Sequence, residues 1–547
     1  MRTRVFAVAL AAVLALTASG LGTSPTRASD LTRRAVTARA AAAAGGTIKI
    51  EYTTDFISLD PAIALDLDGW MTCWSVLFDQ LYRFNTFTSV YPDVAATLPR
   101  ITNGGTVYTI PIRQGIRFSN GREITAYDVG YSLQRTLDPK TKSPGQSFLT
   151  TIAGSSDFIS GKAKTVKGIQ VLGPYLIRLT LSHPQAVFIN DLATAFTSVV
   201  PKEEVARWGK DWSHHPVGSG PYMLKQWSVG RQLVFVANPY YHGTRPKIGT
   251  IIYEVGANPS VALLRVQKGQ ADIAGDGLNG SDIVALRNDP TWSKYLVGLP
   301  TPWPQWLQMN TRMKPFDNKL VRQAVAMAIN RADLLKVING QGQMMEGQLP
   351  PMIPGYDPTL KGYPFDPSRA KQLLAKAGYP HGFSTTLLYS DQPGLPSIVN
   401  QVIQQQLAAV GITVKLRDFP DPSTYLSYIA QPNKAPILTS GWWEDYPDPY
   451  DFIALQLTCA AAVPGGVNYT FYCNPRMDAL VNQAEKTTNT QARLALYKRA
   501  NAIVQDDAVK IALFNWVWWD VHSPRLKGFT IDPTYSFYQF QNLSLAG

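Results

Sequence analysis

An α/β fold is what the sequence predicts, and three observations predict it. The first is a βαβ unit. Residues 385–389 form a short β-favouring run, and Ser397 to Val410 places apolar side chains at 398, 399, 402, 403, 407 and 410, a helical stripe closed by Gly411. Ile412 to Arg417 then alternates apolar and polar residues. Strand, helix and strand in so short a span imply parallel strands joined by a right-handed crossover. The second is the alternating segment Thr47 to Tyr52 after Gly45-Gly46, which reads as a strand. The third is a set of helix starts: Thr125 with Asp128 three positions on, in the manner of a capping box, one near Asp317, and Asp366-Pro367, whose helix ends at Gly378.

The remaining elements follow along the chain. Arg2 and Arg4 precede an apolar stretch from Val5 to Ala18, too short to span a bilayer at ~20 residues, so residues 1–28 read as a secretory signal. Residues 29–45 are Ala- and Arg-rich, without strand or helix signals, and read as a flexible tether. No cysteine precedes Cys73, so the expected exported form has no lipid-attachment cysteine at its signal end. Ser58 to Ala62 reads as a turn and Trp70 to Leu81 as a helix. Val107 to Phe118 looks like a hairpin turning at Gln114-Gly115, followed by an Asn120-Gly121 turn. Ile511 to Trp516 and Phe537 to Phe540 read as short closing strands.

Composition narrows function. The 547 residues allow about three structural units at ~100–200 residues each. A formal charge of +12 suggests nucleic acid until its location is considered. Residues 1–45 hold six Arg and one Asp, so the rest carries 45 basic and 38 acidic residues, with no Lys/Arg run of five. A diffuse excess of this kind excludes a phosphate-binding groove.

Catalytic patterns are missing. The six His (183, 214, 215, 242, 381 and 522) show no metal-binding spacing, and the adjacent His214 and His215 point to opposite faces in extended chain. There is no P-loop and no nucleophile elbow. The Ser-x-x-Lys at Ser368 to Lys371 lies in the first turn of a surface helix. Cys459 and Cys473 flank a Pro464-Gly465-Gly466 turn and form either a local bridge or two buried thiols. Cys73, in an apolar run, reads as a buried, inert thiol.

What stands out is Gly441-Trp442-Trp443-Glu444-Asp445-Tyr446-Pro447-Asp448-Pro449-Tyr450, directly after the strand-like Pro436 to Ser440. Such a loop sits where open α/β sheets bind ligands. Its acids would select a cation, and its rings would exclude water and so strengthen the pairing. A surface turn with packed Trp side chains is the other reading.

Several segments together resemble one family, the extracytoplasmic solute-binding proteins of ABC importers, family 5, which bind dipeptides, oligopeptides or nickel. Tyr108 to Gly121 with Thr125 to Val129 is similar to that family's hairpin signature. Pro216 to Tyr222, Asn238 to Tyr241, Pro315 to Asn318 with Val321 to Ala324, Ala328 to Arg331, Ala370 to Pro380 and the Gly441 to Pro449 loop follow in the family's order. The resemblance implies a two-lobed periplasmic-binding-protein-like fold of the large cluster-C type, with an extra domain inserted in the first lobe. Carried onto this chain, lobe I takes 46–90, 203–275 and 515–547, the extra domain 91–202, and lobe III 276–514. Ligand is held between lobes that close by hinge bending.

The resemblance also implies a role. In peptide-binding members the aspartate of the Gly-Trp-x-x-Asp loop pairs with the ligand's α-ammonium, and here that residue is Asp445. Gly441, Trp442, Trp443, Tyr52, Ser219, Trp303 and Trp306 are the expected cleft neighbours, and Cys459–Cys473 the expected disulfide. Dipeptide-specific relatives carry an Arg for the ligand carboxylate shortly after the strand at 385–389. Here Ser390 to Ser397 contains no basic residue, which favours longer peptides. The implied function is a monomeric, non-enzymatic receptor delivering oligopeptides to membrane permease subunits, with no cofactor, no metal and no nucleic-acid partner. A same-family receptor for an oligosaccharide or metal chelate is the alternative, and a secreted hydrolase the reading from another class.

Overall fold

A computed structural model describes residues 45–84, 89–391, 395–532, 534 and 538–546. The secretory signal, the tether up to residue 44, and Gln392 to Gly394 of the Arg-free stretch lie outside the described residues.

Three principal sheets organise the chain. The first orders Thr47–Tyr52, Thr250–Val255, Gln232–Ala237 and Tyr222–Ser228; its first two strands are parallel and the rest antiparallel. The second is antiparallel and local in sequence, with Arg100–Thr102, Val107–Pro111, Leu176–Thr180 and Ile169–Gly173 in that order. Helix Ala126–Leu137 packs on it, and Asp128 accepts from the Thr125 N–H as the capping box requires. The two sheets share one apolar core that includes Ile50, Phe235, Ile110 and Leu179.

The third sheet has six strands: Gly342–Gln343, Lys510–Val521, Leu296–Met309, Ile437–Gly441, Phe383–Tyr389 and Ile412–Asp418. The expected βαβ unit is present, since Phe383–Tyr389 pairs in parallel with Ile412–Asp418 around helix Ser397–Ala408. Apolar residues alternate across this sheet, as a two-residue period requires. Leu307 and Met309 join the helices at 319–328, 367–376 and 397–408 on one face, and Trp306 joins those at 475–485 and 490–507 on the other. Ile273 bridges both Ile50 of the first sheet and His522, just past the end of Lys510–Val521, and so ties the two large sheets together. Lys510–Val521 runs unbroken through residue 515, where the sequence reading divides the lobes.

Three local expectations are corrected. The helix expected over Trp70–Leu81 is an α-helix over Leu67–Thr72 and a π-turn over Cys73–Leu77, after which Phe78 is extended. The cause is tertiary: the Leu77 carbonyl accepts from the Gly220 N–H, and a Cβ at Gly218 would lie 1.9 Å from that same oxygen. The hairpin turns at Asn120-Gly121, where Phe118 and Ile116 pair with Arg122 and Ile124, while Val107–Pro111 pairs with strands on either side of it. The closing segment is not a strand among the described residues. Tyr538 makes one bridge to Ile531, Phe540 starts a short 3-10 turn, and Phe537 is outside them.

Cys459 and Cys473 form a disulfide with Cα atoms 4.3 Å apart, and Cys73 is free and fully buried, with burial pushing its thiol well up. The bridge closes a short loop, so replacing both half-cystines by serine is expected to cost about 3 kcal/mol, read as a lowered urea midpoint. An unchanged midpoint would show that the loop is held by its packing alone.

Candidate functional site

A cavity of about 690 Å³ lies among Thr53, Thr54, Asp68, Trp70 and Asp276 from one set of segments and Trp303, Trp443, Glu444, Asp445 and Trp518 from the six-stranded sheet and its loop. Leu65, Leu67, Phe196 and Pro259 complete its lining. Four of these groups are carboxylic acids, and no Lys, Arg or His is among them. A second cavity of about 460 Å³ continues past Asp276 and Pro259 toward Asp391 and Trp516 to Trp519, again without a basic lining residue among those described.

Sequence places the aromatic wall. Pro300, Pro302 and Pro304 fall within the long strand Leu296–Met309, whose register against Lys510–Val521 shifts between Pro300 and Pro304. Proline cannot donate to a ladder, and a bulge re-aims the side chains within it. Trp303 lies in this bulge, its ring 4.8 Å from Trp443, which in turn meets Trp518 edge-on at 6.2 Å.

The acids are held by burial and by one another. Trp442 Nε1 and the Asp445 N–H both donate to Asp451 Oδ2, at 3.0 and 3.1 Å. Burial pushes Asp445 up to about 7, while its hydrogen bond with the Asp451 carboxyl pulls it down. Asp451 goes well up, through burial and then the charge of Asp445. The two carboxyls are close enough that ionisation of one disfavours ionisation of the other. Burial also raises Glu444, which is 2% exposed and, among the described residues, has neither oxygen in a hydrogen bond to another residue. The loop itself is anchored from outside the cavity. Arg493 forks onto both oxygens of Asp448 at 2.7 and 2.8 Å and reaches Glu485 at 3.1 Å, and the Tyr497 hydroxyl donates to Glu485. Tyr446, 1% exposed, packs in the N-terminal core, 6.1 Å from Phe148 edge-on.

Of the expected cleft residues, Asp445, Trp443 and Trp303 line the cavity. Trp442 turns the other way and packs with the helices at 475–485 and 490–507. Gly441 ends its strand against Gln305, whose side chain would lie 2.4 Å from a Cβ there. Trp306 is fully buried under the Lys510 ammonium, 4.0 Å from its ring centroid. Tyr52 lies in the core against Phe56 and Tyr253, and its chain neighbours Thr53 and Thr54 reach the cavity instead. Ser219 is fully buried beside Asp79.

Asp68, Asp276, Glu444 and Trp518 were not singled out individually by sequence reasoning. Of these, Glu444 had a signal, its place in the acidic-aromatic loop. Also unforeseen is His242, whose Nε2 lies 3.3 Å from both Asp79 and Asp93. Burial lowers this imidazole, but the two carboxylates override it and push it up to about 10. With Arg83 beside Asp93, two cations balance two anions. His214 and His215 stack on Trp227 and Trp208, with centroids 4.4 and 3.5 Å apart, and share no site.

The family described as "Bacterial extracellular solute-binding proteins, family 5 Middle" matches residues 89–463. The chain is 29% identical over 474 residues to di/tripeptide-binding protein 2 of Pseudomonas aeruginosa, covering 82% of this chain and 87% of that protein. It is 30% identical over 502 residues to a glutathione-binding protein, GsiB, of Escherichia coli, covering 90% and 94%. Its structure resembles the periplasmic binding protein DppA of Helicobacter pylori in complex with the peptide STSA, with a TM-score of 0.77, 27% identity, and 92% and 99% coverage.

Proposed function

Because the chain belongs to the family 5 bacterial extracellular solute-binding proteins, we propose that it is the extracytoplasmic receptor of an ABC importer, capturing oligopeptides between its lobes for delivery to membrane permease subunits. The observation that carries this reading is the cavity: tryptophans stand beside four carboxylic acids, and the described lining residues include no Lys, Arg or His. An α-ammonium is the one positive charge every unblocked peptide shares, and Asp445, which lines the cavity, is its partner in this reading. Dispersion and aromatic contact with Trp303, Trp443 and Trp518 tolerate varied side chains.

The cavity also bears on length. Neither it nor its extension past Asp276 offers a basic side chain, among the described residues, to clamp a terminal carboxylate. This supports a ligand longer than a dipeptide, running toward Trp516 to Trp519. The lobe boundaries follow the same reading, with lobe I at 46–90, 203–275 and 515–547, the extra domain at 91–202 and lobe III at 276–514. The protein acts as a monomer without chemistry of its own.

Native mass spectrometry of protein purified from a rich lysate tests the cargo. A ladder of peptide masses is expected, lost on mild unfolding. Adducts of sugars or metal chelates in its place would overturn the peptide reading.

A further inference from the structure

The α-ammonium accounts for one charge, and the cavity presents more than one carboxylate centre. Asp445 is paired with Asp451 on the loop after Ile437–Gly441. Asp68 and Asp276 sit on different segments, the first turn of helix Leu67–Thr72 and the chain just after Ile273, and line the same cavity.

Asp68 has no structural duty that explains it. The helix is already capped by Asp66, whose Oδ2 accepts from the Gly69 N–H. Among the described residues no hydrogen bond or ion pair engages the Asp68 carboxylate, and its electrostatic neighbours are Asp276 and Asp66, both acids. Asp276 accepts from the Thr53 N–H through one oxygen and lines both cavities. Glu444, all but fully buried in the same lining, adds two carboxylate oxygens that no other described residue engages in a hydrogen bond. Burial and then the charges of Asp276 and Asp66 push Asp68 well up, and burial raises Asp276, so a cation seated between them would favour their ionised forms. Trp70 and Trp518 line the same space, and aromatic faces favour cations that have shed water.

We propose that Asp68 and Asp276 form a second cation subsite, which selects peptides carrying a lysine or arginine side chain in addition to the α-ammonium. This rests on the peptide reading above and narrows it to basic peptides. With both cations seated, each acid centre is neutralised from the ligand, which removes the cost of burying an unpaired carboxylate.

The test is calorimetric titration with alanine tetrapeptides in which one lysine is walked through every position. Each is paired with the same peptide carrying Nε-acetyl-lysine, and all have free amino termini, so the Asp445 contact is constant. For at least one position the lysine peptide is expected to bind about tenfold or more tightly than its acetylated twin. The Asp68→Asn/Asp276→Asn double variant is expected to bring that ratio within about twofold while the acetylated peptide still binds. Equal affinities at every position in the unmutated protein would overturn the subsite, as would a ratio that survives the double variant. The acetylated twins make the first of these outcomes readable even if the double variant fails to fold. Absence of binding by every peptide would overturn the peptide reading, and this inference with it.

Discussion

Asp445→Ala is expected to lower affinity for peptides with a free amino terminus by about 30-fold or more, because removing one partner of a desolvated charge pair costs about 2–5 kcal/mol. N-acetylated peptides, which carry no α-ammonium, are expected to bind the variant and the unmutated protein alike. Without ligand the variant is expected to lose little stability, since the deleted group is a half-buried carboxyl whose charged form is disfavoured. The sign of the pH dependence follows from that shift. Burial pushes Asp445 up to about 7, and a bound ammonium favours its ionised form, so binding is expected to release a proton and to weaken as pH falls below 7. For one proton the slope approaches about tenfold per pH unit, and Asp445→Asn is expected to reduce it by about one unit of log K per pH unit. Calorimetry between pH 5 and 8 reads both effects. Equal affinity of the unmutated protein for acetylated and free peptides would remove the ammonium contact.

Arg493→Met is expected to destabilise the protein by about 3–5 kcal/mol, the usual consequence of stranding buried carboxylates by removing their shared cation. Arg493 is 7% exposed, rises from helix Thr490–Asp507 and holds Asp448 of the acidic-aromatic loop and Glu485 at the end of helix Pro475–Glu485. Asp448 also accepts from the Tyr450 N–H, so it shapes the loop that presents Asp445. Ligand affinity is therefore expected to fall with stability. Adding Asp448→Asn to Arg493→Met removes one stranded charge and is expected to restore part of the loss, read as a higher urea midpoint than the single variant. A loss below about 1 kcal/mol in Arg493→Met would show that water reaches these carboxylates and that the loop is held by Tyr446 and Trp442 instead.

Local signals were read correctly where local interactions decide the outcome. The βαβ unit, the Thr125–Asp128 capping box and the Asp366-Pro367 helix start each depend on residues a few positions apart, and all three are present. The helix over Trp70–Leu81 ends early because its Leu77 carbonyl bonds Gly220, a partner remote in sequence. The hairpin shifts to Asn120-Gly121 because Val107–Pro111 finds better partners at Arg100–Thr102 and Leu176–Thr180.

The cleft list shows a finer limit. Trp442 and Trp443 are neighbours that point opposite ways, as are Tyr52 and Thr53, and a one-residue change of parity moves a side chain from core to cavity. Family resemblance gives the segment, but parity at a strand end or bulge is set by the register of pairing, which Pro300 to Pro304 disturb.

The sequence by itself determined the α/β class, the family and the acidic-aromatic loop with Asp445, because strand and helix periods, caps and motif order are properties of neighbouring residues. Only the tertiary structure decided that Asp68 and Asp276 share a cavity with Asp445 and Glu444, and that Ser219 and Trp306 do not. Solvent exclusion and like-charge proximity are properties of where distant segments meet, and those two forces raise Asp68, Asp276, Glu444 and Asp445 above the usual carboxylate range.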